Sequence, residues 1–422
     1  MIESSLNVCS RLYDLARAHN GQNVWQDFSG VPVLVVQRYE DADYILRLNH
    51  KNYVKNMVWF RQAIGRSRFS EEGKEWEVRR DLTQPFFTKF DRQQTFALAC
   101  KYGRLVLQEL MNESASGKLN IDDDTLRRMA ISVLIENFFG ITLQEAHVDI
   151  TSLGQLMAYS AEMAFVPPGR SKEASKEIQQ TLTELRRQTL KDLAPFRQGA
   201  IPPSPLLDGL LAADREGKIV LEHELLTLFS AGAETTAATV GWLCYMMASN
   251  PEKQEQLYQT CAPLADSTDW QTVSSIDLLG AWISESLRLY PSSPILDRLA
   301  VEQDVIGGET IQPGQNIMVS LIGVQHDARI HPDPWEMHLG DTSHPAQNRK
   351  HSGVNTAFSL GPRVCGGKNF ALVELTGFLH TFVTRAQFTL TSNEPPKFIW
   401  KSLMLREGGQ PVQITPRKET AS

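Results

Sequence analysis

Residues 358–367 read Phe-Ser-Leu-Gly-Pro-Arg-Val-Cys-Gly-Gly. Cys365 stands two positions after Arg363 and directly before Gly366 and Gly367. Glycines let a backbone approach a bulky planar group closely. The apolar run 370–373 reads as the first turns of a helix, so Cys365 falls just before a helix N-terminus. Free N–H groups and the positive end of the helix dipole favour a thiolate there. A thiolate in a Gly-lined turn, with a cation beside it, suits an axial ligand to haem iron. The bland alternative is a buried structural thiol, the commonest state of a free cysteine.

Three further segments carry chemistry. In the apolar stretch 278–290, Glu285 and Arg288 share a helical face and can pair. On a surface such a pair stabilises little. In an apolar helix it is buried and needs further partners. Residues 231–236 read Ala-Gly-Ala-Glu-Thr-Thr inside a long apolar helix, about 221–250, ended by Pro251. Glu234, Thr235 and Thr236 are locally unfavourable there, and such departures cluster at functional sites. A small residue followed by glycine allows close approach of a ligand, and Thr235 can bond back one turn and open the helix. Finally, Trp76 and Arg80 lie four apart on one helical face. Arg80 offers the fixed fork of donors that matches a carboxylate, and Arg79 is assigned to the surface.

These segments, in this order along the chain, resemble the cytochrome P450 family from about residue 23 to 417. Phe-x-x-Gly-x-Arg-x-Cys-x-Gly resembles its haem-binding signature, with Phe358, Arg363 and Gly367 beside the haem and Cys365 on the iron. Glu285 and Arg288 resemble its Glu-x-x-Arg pair, which joins a second Arg before the Cys. Arg349 is the candidate, although His344-Pro345-Ala346-Gln347-Asn348 departs from the usual aromatic-rich stretch there. By the same resemblance Glu234 and Thr235 are the acid–alcohol pair that supplies protons for dioxygen cleavage, and Trp76, Arg80 and Arg298 bind haem propionates. The resemblance implies a mainly α fold with small β-sheets. The haem b (iron protoporphyrin IX) would lie between the long central helix and the Cys loop. It also implies one domain, with a β-rich N-terminal lobe at about 23–70 and a helical lobe at about 71–422.

Composition fits that reading. Of the 422 residues 42% are hydrophobic and 22% charged, as in soluble globular proteins. With 42 Lys plus Arg against 49 Asp plus Glu, the net charge of −7 argues against nucleic acid as a partner. Cys9, Cys100, Cys244, Cys261 and Cys365 are scattered without a CxxC, which fits a reducing, cytoplasmic compartment. The N-terminus has no apolar run, so neither signal peptide nor membrane anchor is expected, and the reading is a soluble, bacterial-type member. No reductase, ferredoxin or flavodoxin module is recognisable. A separate ferredoxin- or flavodoxin-type donor with its reductase is therefore the expected partner.

Around the chemistry, the pattern predicts strand at 33–36 and helices at about 39–48, 94–110, 126–139, 151–165 and 172–194, the last two divided by a turn at Pro167-Pro168-Gly169. Residues 327–354 read as irregular, and 397–414 as strands turning at Gly408-Gly409. By family analogy Phe69, Ala231, Ile295, Leu296, Leu403 and Met404 line a mainly apolar substrate pocket. Phe69 is placed at a loop tip over the haem, against the alternative of a core anchor. Arg61, Arg66 and Arg68 read as a solvated basic loop or partner contact before a carboxylate site. The implied activity is monooxygenation, by hydroxylation or oxidative coupling, of a specialised metabolite or lipid. A peroxide-using or rearranging haem enzyme and a non-catalytic haem sensor or carrier stay open. Retention of Glu234 and Thr235 favours the first reading.

Overall fold

The computed structural model describes residues 7–163, 172–340 and 355–417. The long helices that position the site are α1 (Val8–His19), α2 (Gly73–Thr88), α3 (Arg92–Ala115), α4 (Asp123–Phe139), α5 (Ile150–Met163), α6 (Lys172–Asp192), α7 (Leu221–Ser249), α8 (Asp277–Leu289) and α9 (Lys368–Arg385). The turn expected at Pro167-Pro168-Gly169 lies outside the described residues.

α7 crosses the centre of the molecule. Its apolar residues keep it buried nearly all round, and Pro251 opens the next helix where α7 stops. It packs along α4, while α9 packs along α3 and reaches α7. The main core lies among these helices, filled by Phe96, Phe139, Phe196, Phe229, Trp282 and Phe382. The predicted helix at 39–48 is an α turn over Tyr39–Asp43 running into a π turn over Tyr44–Leu48.

The main sheet joins β1 (Val24–Phe28), β2 (Val31–Val36), β3 (Tyr53–Val54), β5 (Ile295–Ala300) and β8 (Asn316–Ser320) in the order β1-β2-β8-β5-β3. β2 and β8 are parallel, with Val33 opposite Asn316, and the other pairs are antiparallel. The sheet therefore draws on residues near 300 as well as the expected 23–70. Two smaller sheets use β9 (Ala386–Leu390), β10 (Phe398–Trp400), β11 (Met404–Arg406) and β12 (Gln410–Pro416), with β4 (Asn120–Ile121) on the edge of β12. The predicted turn before β12 is present: Gly408 and Gly409 have φ of +78° and +81°, and a side chain at Gly409 would strike the Ile121 carbonyl. β6 (Asp304–Ile306) and β7 (Glu309–Ile311) form a separate hairpin.

α1 is held by aromatic contacts. Tyr13 stacks on Phe398 at 4.3 Å and meets His326 edge-on at 5.7 Å, and His326 stacks on Trp335 at 4.3 Å. The His326 Nδ1–H donates to the Ile322 carbonyl at 2.8 Å. Burial holds this imidazole down at about 3, against an ordinary 6.5. A depressed folded value means that the unfolded chain binds the proton first as pH falls. Stability is therefore full above about 6.5 and is lost toward 3, by up to about 4 kcal/mol. His326→Asn keeps a donor for Ile322 and removes the titration. Its denaturation midpoint is expected to depend less on pH over that window than the wild type's, and an equal slope would place the acid sensitivity elsewhere.

Candidate active site

The Cys365 loop is built by its backbone. The Cys365 amide donates to the Phe358 carbonyl at 2.8 Å and closes the turn. Gly361 has φ of +68°, and a side chain there would strike the Leu46 carbonyl, so only glycine lets the loop lie against the 44–48 turn. Gly367 caps α9, and the Lys368 amide points at the Cys365 carbonyl at 3.4 Å. The Cys365 side chain has accessible surface, yet protein encloses it closely. Burial pushes its thiol up, opposed by the Gly367 and Lys368 amides and the Arg68 guanidinium. The amides expected from the sequence do act on the sulfur, but burial outweighs them. A bound metal cation reverses that balance by deprotonating the thiol outright.

A cluster of cations borders the loop. Arg363 donates to the carbonyls of Glu71 at 2.8 Å and Phe69 at 3.2 Å, and Lys55 Nζ donates to the same Phe69 carbonyl at 2.8 Å. Arg80 and Arg363 each lie 4.7 Å from the centre of the Trp76 ring. Arg80 is half-exposed and bonded to Asp81. Arg298 on β5 is only 4% exposed and donates to the carbonyl of its own neighbour Asp297 at 2.8 Å. Burial first, and repulsion from Arg363, bring Arg298 down to about 10, while Glu72 and Asp297 resist. Burial with repulsion from Arg363 and Arg298 likewise lowers Lys55. Like charges crowded this way call for an anion. A planar group with carboxylates at one edge and a metal facing a thiol meets that demand, so the donor set fits haem. Lys55 is a member the sequence reading missed. It is remote from every motif, and its only signal is a lone Lys after a short strand.

Arg79 corrects its expected surface place. It is 6% exposed and pairs at 3.1 Å with Glu224 in the first turn of α7. Of Arg61, Arg66 and Arg68, only Arg66 is solvated as expected, and all three have partners. Arg61 pairs with Glu71 at 2.8 Å, Arg66 with Glu75 at 3.1 Å, and Arg68 bonds Thr83 at 3.0 Å and also Gln84. Gln84 in turn donates to the Gly366 carbonyl at 3.3 Å.

On α7, Thr235 Oγ1 donates to the Ala231 carbonyl at 2.9 Å, the back-bond its position predicts. Ala231 is exposed and Thr235 half-buried, one turn apart on the same face. Gly232 serves a different end from the expected ligand contact: a side chain there would collide with Leu134 of α4, so this glycine seats α7 on α4. Glu234, 6% exposed, forms an ion pair at 2.6 Å with Arg127 of α4, which also pairs with the half-exposed Asp124. Burial pushes the Glu234 carboxyl up, and Arg127 opposes it.

Glu285 and Arg288 form a buried two-pronged pair, at 2.7 and 2.8 Å. Arg288 also donates to the carbonyls of Gln325, Pro334 and Glu336, and the His338 amide donates to Glu285 at 2.8 Å. Arg349 lies outside the described residues. Among the pocket candidates, Phe69 is 39% exposed, with its ring 4.8 Å from core Phe60 and Lys55 over its face at 3.7 Å, so it touches the core and keeps part of its surface open. Ile295 and Leu296 are half-buried at the start of β5, and Leu403 packs with Ala238, one turn past Thr235. Met404 is corrected. It is fully buried beside Trp242, its amide bonded to Ser292 and its carbonyl to the Trp242 indole, so it is core and not lining.

The family model for Cytochrome P450 matches residues 3–414, and the chain belongs to the cytochrome P450 family, a family of haem-thiolate monooxygenases. A human protein, Cytochrome P450 4F12, is 29% identical over 218 residues, a match that spans 49% of this chain and 41% of that one. A Cytokinin hydroxylase of Arabidopsis thaliana is 25% identical over 383 residues, spanning 81% of this chain and 71% of its own. A crystal structure of a mutant cytochrome P450DA heme domain superposes with a TM-score of 0.81 at 16% identity, covering 98% of this chain and 94% of that one. These two relatives are eukaryotic and lend no support to a bacterial origin. Among the described residues no helix is long and apolar enough to cross a membrane.

Proposed function

We propose that this chain is a haem-thiolate monooxygenase that hydroxylates or oxidatively couples a mainly apolar small molecule, a specialised metabolite or lipid. Electrons come from a separate ferredoxin- or flavodoxin-type donor with its reductase. The observation that carries the reading is the pairing of a Cys365 loop at the head of α9 with the Glu234–Thr235 pair on α7, which packs against α9. The printed name of the Arabidopsis relative, a hydroxylase, points the same way.

Cys365 would hold the iron of haem b. Trp76, Arg80, Arg298, Arg363 and Lys55 would take its propionates, with Phe358 and Gly367 beside the ring. When bound, the haem supplies the oxidising chemistry by which dioxygen is cleaved and one oxygen atom enters the substrate. The polypeptide's part is to exclude water, orient the substrate and move protons. Phe69, Ala231, Ile295, Leu296 and Leu403 supply an apolar lining. Arg127 fixes the Glu234 carboxyl by an ion pair and is itself paired with half-exposed Asp124, so the buried acid is anchored in a cluster that reaches solvent. Thr235 Oγ1, while donating to Ala231, keeps its own lone pairs toward the open face of α7 and can pass a proton there.

Thr235→Ala is expected to keep substrate binding and NAD(P)H consumption but to divert electrons to hydrogen peroxide, since proton supply rather than binding is lost. Product formed per NAD(P)H is the measurement, and an unchanged ratio would refute the relay. A substrate screen by the haem Soret shift tests the function as a whole. Binding of apolar metabolites or lipids with the shift toward high spin supports it, and a spectrum indifferent to all of them argues for a sensor or carrier.

A further inference from the structure

Glu374 is the buried acid that the site described above does not use. It sits on α9 and is 1% exposed. Its Oε2 accepts from Thr236 Oγ1 of α7 at 3.5 Å, and its Oε1 has no hydrogen-bond partner among the described residues. No cation among the described residues acts on it, and burial pushes its carboxyl far up. An ionised carboxylate with no partner is too costly at such a place, whereas a neutral acid keeps an O–H donor and an acceptor. A leucine would fill the same volume without the desolvation cost. A polar residue kept in such a position marks a demand other than packing. The two helices it touches are the ones that matter: α9 starts directly behind Cys365, and Thr236 adjoins Thr235.

We propose that Glu374 is a positioning residue whose carboxyl, through its contact with Thr236, holds α9 and α7 in register and so keeps the Cys365 loop at the head of α9 placed to hold the haem iron. The pair sits between the two helices, at the crossing of the Cys365 helix with the Thr235 helix. Without its directional bond the helices remain packed by their apolar neighbours but lose a fixed register. The Cys365 loop at the head of α9 would then be less firmly placed, and the sulfur would hold the iron less durably. The inference rests on Cys365 binding haem iron, and wild-type holoprotein lacking the red-shifted carbon monoxide band would sink that reading instead of this one.

The test uses holoprotein carrying Glu374→Gln, Glu374→Leu, Thr236→Val and the Leu/Val double substitution. The quantity followed is the rate at which the ferrous carbon monoxide complex loses its red-shifted Soret band in mild denaturant, with the melting temperature alongside. Glu374→Gln keeps an uncharged hydrogen-bonding group and is expected to match the wild type. Glu374→Leu and Thr236→Val are each expected to lose the band about tenfold faster, the worth of one hydrogen bond of about 1.4 kcal/mol. The melting temperature should hold in Glu374→Leu, which removes the desolvation cost along with the bond, and fall in Thr236→Val, which leaves the buried acid unpartnered, and the double variant should be no faster than Leu alone. Wild-type rates in both single variants, a Gln variant as labile as Leu, or additive effects in the double variant would each overturn the proposal. Should Glu374→Leu give no folded holoprotein, Thr236→Val decides by the same rate.

Discussion

Replacing Cys365 with histidine is expected to abolish the red-shifted Soret band of the ferrous carbon monoxide complex. Histidine still offers a ligand to iron, so loss of the band together with retained haem isolates the sulfur from mere occupancy. Cys365 is the one cysteine with accessible surface; Cys9, Cys100, Cys244 and Cys261 are buried. Burial holds their thiols above the ordinary range, Cys261 at about 12. Cys365 is raised by burial too, so what sets the four apart is that they have no surface from which to reach a bound group. Alanine at any of the four should therefore leave the band unchanged, although each shortens a packed side chain. A band that survives in the Cys365→His protein would show that another group holds the iron.

Residues in short motifs were legible in the sequence because spacing alone sets their geometry. Trp76 and Arg80 meet across one helical turn, Glu285 and Arg288 across another, and Gly361 of the Cys365 loop is required by a backbone contact that only glycine meets. The failures share a different cause. Arg79 is adjacent to Arg80, but it meets Glu224 in the first turn of α7, so a residue one position off the expected face is also buried. Met404 follows Leu403 in a segment that turns into β11, and successive residues there point to opposite sides. Lys55 and Glu374 depend on contacts between elements far apart in the chain, and no local pattern encodes those. Gly232 looked like space for a ligand when it is space for Leu134. In each case the missing information was which neighbour an element packs against, not what the element is.

Glu285→Ala is expected to yield little haem-bound protein, with a loss of about 3–5 kcal/mol. Against a total stability of about 5–15 kcal/mol that is a large share. The cost follows from what Arg288 would be left holding. Its guanidinium is buried, with 4% of its side chain exposed, and Glu285 is its only counter-charge among the described residues. The remaining acceptors are the carbonyls of Gln325, Pro334 and Glu336. The bonds to Pro334 and Glu336 also fix the irregular stretch after residue 327, and the His338 amide adds a further hold on it by donating to Glu285 at 2.8 Å. The pair is therefore a knot for residues 327–340, which form no helix or strand. An apolar pair would pack in its place yet strand four backbone groups, so the usual tolerance for replacing a buried ion pair by hydrophobic residues does not extend here. Glu285→Gln, which still accepts from Arg288 and His338, should fall between the wild type and Glu285→Ala in both haem-to-protein ratio and denaturant midpoint. If Glu285→Ala matches the wild type in both measurements, the segment is held by other contacts and the knot is not what secures the Cys365 side of the molecule.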